Sequence, residues 1–138
     1  MSISEQYINK LRRSGLRPTR QRLRICEILF NSNETFHFTI KELVKMIENH
    51  SNIKVSLATV YNTVHAFSGK GYLKEITINS SKSYFDTNTS HHHHFFDIKE
   101  NKLIDLEDKE VEPIKIKKTI PGKKIKSVEV LVKIDNSN

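Results

Sequence analysis

The residues most able to do chemistry in this chain form one run of histidines, in the stretch TSHHHHFFD from Thr89 to Asp97. The run holds four of the seven histidines in the sequence. Neutral imidazole is the commonest metal ligand in proteins and also serves as an axial ligand of haem. A purification tag is disfavoured because the run is short and internal, and a solvated loop is disfavoured because imidazoles seldom cluster without a ligand role. The run therefore predicts a metal or haem site.

Alternation along a strand would divide this run into two pairs. Successive side chains of an extended segment point to opposite faces, so His92 and His94 would share one face, and His91 and His93 the other. Two imidazoles on one face, closed by carboxylates, give a mixed nitrogen and oxygen shell.

The composition excludes several classes of protein. The only cysteine, Cys26, rules out disulfides within the chain and a structural zinc site made of four cysteines, and its apolar surroundings predict a small buried hydrophobe. No apolar run approaches the roughly 20 residues that span a bilayer. The N-terminus lacks the apolar core of a signal peptide. We therefore expect a cytoplasmic protein with no membrane partner.

The positive charge lies entirely in the N-terminal part of the 138-residue chain, whose formal net charge is +7. Residues 1–85 carry 13 Lys and Arg against 6 Asp and Glu, whereas residues 86–138 carry 10 against 10. A basic part joined to a neutral part is typical of a polyanion-binding module attached to a second domain.

Four helices are predicted from apolar residues at helical spacing. Their predicted N-caps are Ser4, Thr19, Thr39 and Ser56, and Glu42 completes a capping box with Thr39. A short connection joins the third helix to the fourth, which is typical of a helix-turn-helix.

Alternating runs after these helices predict strands. YLKEITI and KSYFDT indicate a β-hairpin that would be the wing of a winged helix, HFFDI and KLIDL indicate a second hairpin, and SVEVLVKI indicates a last strand. The predicted fold is α+β, with a winged-helix DNA-binding domain over residues 1–85 and a small strand-rich dimerisation and ligand-sensing domain over residues 86–138. The second domain has too little apolar surface to stand alone, so we expect a homodimer.

The fourth helix would read DNA bases. Its predicted buried stripe is Leu57, Val60, Val64 and Phe67. The residues left for the groove are Ser56, Thr59, Tyr61, Asn62, Thr63 and His65. Asn can bond an adenine edge, and Tyr or Thr can contact a thymine methyl. Phosphate contacts are expected from Arg12, Arg13, Arg17, Arg20 and Lys74.

The order of GLRPTRQR, TIKELVKMI, SLATVYNTVHAF and KSYFDT resembles the ferric uptake regulator family over essentially the whole chain. KSYFDTNTSHHHHFFDI and the tail IPGKKIKSVEVLVKI are most similar to its haem-responsive iron response regulator branch. The resemblance implies a winged-helix domain, a dimerisation domain, and DNA binding that depends on iron or haem. It further implies a regulator, mainly a repressor, of iron and haem homeostasis genes, and no enzyme.

Two sets of site residues follow from this resemblance. The metal set, for Mn²⁺, Fe²⁺ or Zn²⁺, is His37, Asp86, His92, His94 and Asp105. The haem set is His92, His93 and His94, with His65 on the DNA-binding domain. A second family metal site would use His91, His93 and Glu112, but its remaining histidine has no counterpart. Asn62 stands where a basic residue is common in the family, so the operator sequence is expected to differ.

Three hypotheses follow. The first, which the resemblance favours, is a haem-sensing repressor whose partners are operator DNA, a second copy of the chain and a haem-supplying enzyme. The alternative is a repressor activated by Mn²⁺ or Fe²⁺, of the ferric uptake or peroxide-response type. A zinc hydrolase is disfavoured because no HExxH-like helix is present and the basic half would go unexplained.

Overall fold

The computed structural model describes residues 1–50 and 52–137, which form two compact units, one up to Thr89 and one from Ser90 onward. The α+β class predicted from the sequence is confirmed, with four helices and two small sheets. Asp86 belongs to the first unit because the last strand of that unit runs through it. Within the described ranges, no helix has the length and apolar character needed to cross a membrane.

The first unit begins with four helices: α1 (Ile3–Arg13), α2 (Arg20–Phe30), α3 (Ile40–His50) and α4 (Leu57–Gly69). The caps of α2 and α4 are those predicted, since Thr19 and Ser56 each accept a hydrogen bond from a backbone N–H three residues on. The predicted cap of α1 is wrong. Ser4 is already helical, and the Ser2 hydroxyl accepts the Glu5 N–H instead, at 3.1 Å.

The start of α3 has the predicted capping box. Thr39 Oγ1 accepts the N–H of Glu42 at 3.2 Å, and Glu42 Oε1 accepts the N–H of Thr39 at 3.0 Å. This box fixes where the chain turns from His37 into the helix. The predicted ligand His37 is therefore placed by local hydrogen bonding as well as by the sheet described below.

One apolar core joins the four helices. Its fully buried members are Leu11, Ile25, Cys26, Leu43, Ile47, Val60, Val64 and Phe67. Two predictions for α4 are wrong. Leu57 is 57% exposed because it is the first helical residue and faces away from this core, whereas Thr63 is fully buried. The Thr63 hydroxyl is satisfied inside the helix, where it donates to the carbonyl of Thr59 at 2.7 Å.

A three-stranded sheet follows the helices in the first unit. β2 (Lys74–Asn79) and β3 (Lys82–Asp86) form the predicted hairpin, and β1 (His37–Phe38) pairs with the other edge of β3 in the order β1-β3-β2. The sequence analysis did not predict β1, because two residues are too few for a periodic pattern. Its register places His37 opposite Asp86.

The second unit is a three-stranded sheet in the order β5-β4-β6, made by β4 (His93–Asp97), β5 (Lys102–Leu106) and β6 (Leu131–Ile134). β4 and β5 form the predicted hairpin, and β6 runs parallel to β4. A 3₁₀ turn (Asp108–Glu110) follows β5. The last strand is shorter than SVEVLVKI predicted, since its ladder with β4 begins only where Leu131 meets His94.

Candidate functional site

The histidine run lies at the start of β4, where alternation divides it as expected. The rings of His92 and His94 have centroids 4.5 Å apart, and those of His91 and His93 are 5.0 Å apart. Three of the four histidines are buried, and only His91 is exposed. The two pairs turn toward different carboxylates of the same unit, so the run supplies two separate clusters.

The first cluster joins His92 and His94 to Asp105. The Nε2 atoms of His92 and His94 lie 3.7 Å and 3.4 Å from Asp105 Oδ1. Asp105 reaches this position because β5 pairs with β4 in a register that sets it opposite His94. Two ligand atoms on one tetrahedral ion, with bonds of about 2.1 Å, are separated by about 3.4 Å. These three side chains therefore already have the spacing of a shared ion.

A hydrogen bond fixes the proton of His92. Its Nδ1 lies 2.8 Å from the carbonyl oxygen of Ser90, and because a carbonyl only accepts, Nδ1 carries the proton. In the neutral ring, Nε2 then presents a lone pair toward the Asp105 carboxylate. A backbone carbonyl on the outer nitrogen is also the partner that metal-binding histidines commonly have.

His93 has the opposite arrangement. Its Nδ1 accepts the backbone N–H of Val130 at 2.9 Å, and its Nε2 lies 3.0 Å from Asp108 Oδ1. Because Nδ1 accepts, the proton of the neutral ring is on Nε2, which donates to the carboxylate. The ring is only 2% exposed, and neither nitrogen has a lone pair left for a metal ion or haem iron. In this conformation His93 ties β4 to β6 and to the 3₁₀ turn.

The second cluster consists of His91, His93 and Asp108. His91 Nε2 lies 3.3 Å from the same carboxylate oxygen that His93 contacts. These residues line an open cavity of about 560 Å³, whose wall also includes Glu112 and Lys126. His91, His93 and Glu112 were predicted for a second site, but Asp108 was not. Asp108 is one of several carboxylates in the same stretch, and its spacing does not distinguish it from the others.

The remaining predicted metal ligands, His37 and Asp86, are neighbours within the first unit. They face each other in the β1–β3 register, and Asp86 is 2% exposed. Asp86 Oδ1 accepts the N–H of Asn88 at 2.8 Å. The His37 ring makes an edge contact with Tyr84, with centroids 5.9 Å apart. The structure thus brings together two subsets of the predicted set, one on each unit.

The predicted DNA-reading helix exposes part of its expected face. Ser56, Tyr61 and Asn62 are exposed, and Thr59 is half-buried. The Ser56 hydroxyl accepts the N–H of Thr59 and lies 2.8 Å from the Thr59 hydroxyl, so both of these side chains already serve the helix cap. The predicted phosphate-binding residues Arg12, Arg13, Arg17 and Arg20 are exposed, and Lys74 is half-buried in β2.

His65 packs between two aromatic rings. Its ring centroid is 4.1 Å from that of Tyr61 and 5.3 Å from that of Phe85. Tyr61 is 51% exposed on the same helix, and Phe85 directly precedes Asp86 in β3. His65, predicted as a second haem contributor, therefore packs against an exposed residue of the helix that was predicted to read DNA.

The chain matches a known protein family along most of its length. The ferric uptake regulator family model matches residues 13–134. A peroxide-responsive repressor of Staphylococcus aureus is 36% identical over 104 residues, which cover 75% of this chain and 68% of the relative. The corresponding repressor of Staphylococcus epidermidis is 35% identical over 102 residues, which cover 74% of this chain and 66% of the relative. The match therefore spans about two thirds of the length of each relative.

Solved structures show the same fold. The ferric uptake regulator of Vibrio cholerae superposes with a TM-score of 0.69 at 21% identity, covering 94% of this chain and 98% of that one. The ferric uptake regulator of Pseudomonas aeruginosa, solved with manganese, superposes with a TM-score of 0.68 at 18% identity, covering 96% and 98%. Both staphylococcal relatives are peroxide-responsive repressors, so the resemblance to a haem-responsive branch stays a prediction.

Proposed function

Because this chain belongs to the ferric uptake regulator family, a family of transcription regulators, we propose that it is a dimeric DNA-binding repressor activated by a divalent metal ion. The observation that carries this proposal is the cluster of His92, His94 and Asp105. The Nε2 atoms of His92 and His94 lie 3.7 Å and 3.4 Å from Asp105 Oδ1, close to the separation of two ligands on one ion, and a backbone carbonyl holds the outer nitrogen of His92. The protein would act in the cytoplasm on operators of iron- or peroxide-response genes.

The ligand chemistry favours Mn²⁺ or Fe²⁺, with Zn²⁺ as a competitor. Two imidazoles and one carboxylate form a borderline set without sulfur, and such sets are typical of these ions. We propose His37 and Asp86 as further ligands on the resemblance of their sequence motifs to those of the family. An ion bound to the second unit could in this way regulate the DNA-binding unit.

DNA recognition would use the exposed part of α4 and the arginines before α2. Tyr61 and Asn62 have side chains suited to thymine methyl groups and adenine edges, respectively. Arg17 and Arg20 are exposed at the start of α2, where their charge adds to the positive end of the helix dipole. An anionic phosphate nearby would relieve that repulsion, which supports a phosphate contact here.

Haem remains the second candidate, on the resemblance of the histidine run to the haem-responsive branch. Its proposed ligands differ in whether they could bind iron without rearranging. His92 and His94 could bind iron, whereas His93 would first have to give up the hydrogen bond from Val130 or the proton shared with Asp108. His65 would have to leave its two aromatic neighbours. The metal hypothesis requires neither rearrangement, and we therefore prefer it. A haem-supplying enzyme is a partner only under the haem hypothesis.

One experiment separates these candidates. Binding sites would first be selected from random duplexes with purified protein in the presence of Mn²⁺. Affinity for the selected duplex would then be measured with chelator, Mn²⁺, Fe²⁺ under anaerobic conditions, and haemin. We expect Mn²⁺ and Fe²⁺ to increase affinity and haemin to have no effect. Loss of DNA binding on adding haemin, with a Soret shift that disappears in the triple variant His92→Ala, His93→Ala, His94→Ala, would instead establish the haem hypothesis.

A further inference from the structure

One segment of the second unit is exposed along its whole length. Residues 113–127, here called the lysine arm, are all exposed and link the 3₁₀ turn to β6. The arm turns back at Pro121 and Gly122, where the N–H of Lys123 donates to the carbonyl of Ile120 at 3.0 Å. Gly122 has φ of +77°, which a glycine tolerates at this position of a turn.

The lysine arm combines exposed apolar and basic residues. Its isoleucines are Ile114, Ile116, Ile120 and Ile125, each between 43% and 61% exposed. Its lysines are Lys115, Lys117, Lys118, Lys123, Lys124 and Lys126, and it has no acidic residue. Loops longer than about 12 residues without secondary structure are uncommon in compact domains unless they are functional or disordered. Four exposed isoleucines on such a loop indicate a binding surface.

Charge identifies what the lysine arm would bind. Residues 97–112, here called the acidic stretch, contain seven Asp and Glu against three Lys, whereas the arm contains six Lys against none. The near-neutral second unit therefore consists of two oppositely charged segments. Among the described residues, no lysine of the arm forms an ion pair within its own copy. The acidic stretch also exposes Ile98 and Ile104, at 53% and 39%.

We propose that the lysine arm docks on the acidic stretch of a second copy of this chain, with the reciprocal contact formed by the other arm. In a dimer with a twofold axis, each copy contributes one arm and one acidic stretch, so the same contact forms twice. DNA is the competing occupant for six lysines. It would leave the four isoleucines exposed, whereas another copy offers both acidic side chains and exposed isoleucines. This inference specifies the interface of the homodimer in the proposed function.

A charge exchange tests the docking directly. The arm variant carries Lys115→Glu, Lys117→Glu, Lys124→Glu and Lys126→Glu, and the acidic variant carries Glu100→Lys and Glu112→Lys. Sedimentation velocity would give the dimer dissociation constant of each protein alone and of their equimolar mixture. We expect each variant alone to dissociate at least about tenfold more readily, because the arm variant sets like charges against each other and the acidic variant neutralises the acidic stretch. The mixture should dimerise more tightly than either variant alone, because one of its two reciprocal contacts again joins opposite charges.

Two results would overturn the inference. The first is an unchanged dimer dissociation constant in the arm variant. If DNA binding were also weaker, the arm would instead be assigned to DNA. The second is a failure of the mixture to restore dimers when circular dichroism shows both variants folded. Dimer dissociation of the wild-type chain should also increase between low and high salt, which requires no variant. Metal-dependent operator binding is measured separately, so its failure and the failure of this docking are distinguishable.

Discussion

The backbone N–H of Val130 donates a hydrogen bond to Nδ1 of His93 at 2.9 Å, and this single contact fixes the protonation of the ring. The neighbouring His92 has its proton on the opposite nitrogen, because its Nδ1 donates to the carbonyl of Ser90. Adjacent residues of the same type are therefore prepared for different roles. His92 offers a lone pair to an ion, whereas His93 holds three parts of the second unit together.

Replacing His93 should therefore destabilise the protein without removing its metal. His93→Ala leaves the part-buried Val130 N–H without its acceptor, at a cost of about 1–3 kcal/mol, whereas the Asp108 carboxylate is 65% exposed and can be hydrated instead. Urea unfolding should give a lower free energy of unfolding, and calorimetry should give a Mn²⁺ affinity within about threefold of wild type. A loss of Mn²⁺ affinity as large as that of His94→Ala would contradict the assignment of His93 as a structural bridge.

Removing one arginine at the start of α2 should reduce the salt dependence of DNA binding. Each phosphate neutralised by the protein contributes about −0.9 to the slope of log affinity against log salt. We expect Arg17→Ala and Arg20→Ala each to reduce the magnitude of that slope by about this amount. Lys133→Ala, which removes an exposed cation of the second unit outside the lysine arm and the acidic stretch, is the matched control and should leave the slope unchanged. Unchanged slopes in both arginine variants would remove them from the DNA interface.

Loss of the His65 ring should weaken specific DNA binding selectively. His65→Ala removes the neighbour that orients Tyr61, and aromatic pairs of this kind contribute about 0.5–1.5 kcal/mol. Affinity for the selected operator should decrease about threefold to tenfold, while binding to random duplex and the salt slope should stay as in wild type. If both DNAs lost affinity equally, the effect would be on the fold of the helix and not on the position of Tyr61.

Cys26 should be chemically inert and should make stability dependent on alkaline pH. Burial raises the pKa of the Cys26 thiol to about 12, from an ordinary value of 9.0. The unfolded thiol loses its proton above pH 9.0, whereas the folded one keeps it, so stability decreases as pH rises through this range. The melting temperature should decrease less between neutral pH and high pH for Cys26→Ala than for wild type, because the variant has no thiol to titrate. Equal decreases in both proteins would exclude this contribution.

How far the sequence predicted the structure depends on whether each feature is local. Capping at Thr19, Thr39 and Ser56 was predicted correctly, because each cap bonds a backbone group three residues away. The short strand β1 was not predicted, since its pairing with β3 depends on residues far apart in sequence. At the N-terminus two serines were available as caps, and the choice of Ser2 follows from where the helix begins.

The same distinction between local and tertiary features holds for the candidate site. Alternation correctly separated His92 and His94 from their neighbours, because the period of an extended segment is local. The role of Asp108 was not predictable, because its stretch is so rich in acidic residues. The proton positions on the rings of His92 and His93 were not predictable either. Both depend on the turn after β5 and on the approach of β6 to β4. The sequence therefore identifies which residues could bind a ligand, and the tertiary contacts distinguish among them.

Mn²⁺-dependent operator binding, compared between His94→Ala and His91→Ala, is the most direct test of the proposed function. Both variants lose one imidazole of the same run, but only His94 lies beside Asp105. Fluorescence anisotropy of a labelled operator would be measured with chelator and across a Mn²⁺ titration. We expect His91→Ala to respond like wild type and His94→Ala to need at least about tenfold more Mn²⁺. Equal Mn²⁺ requirements in the two variants, or tight operator binding in chelator, would contradict the proposal.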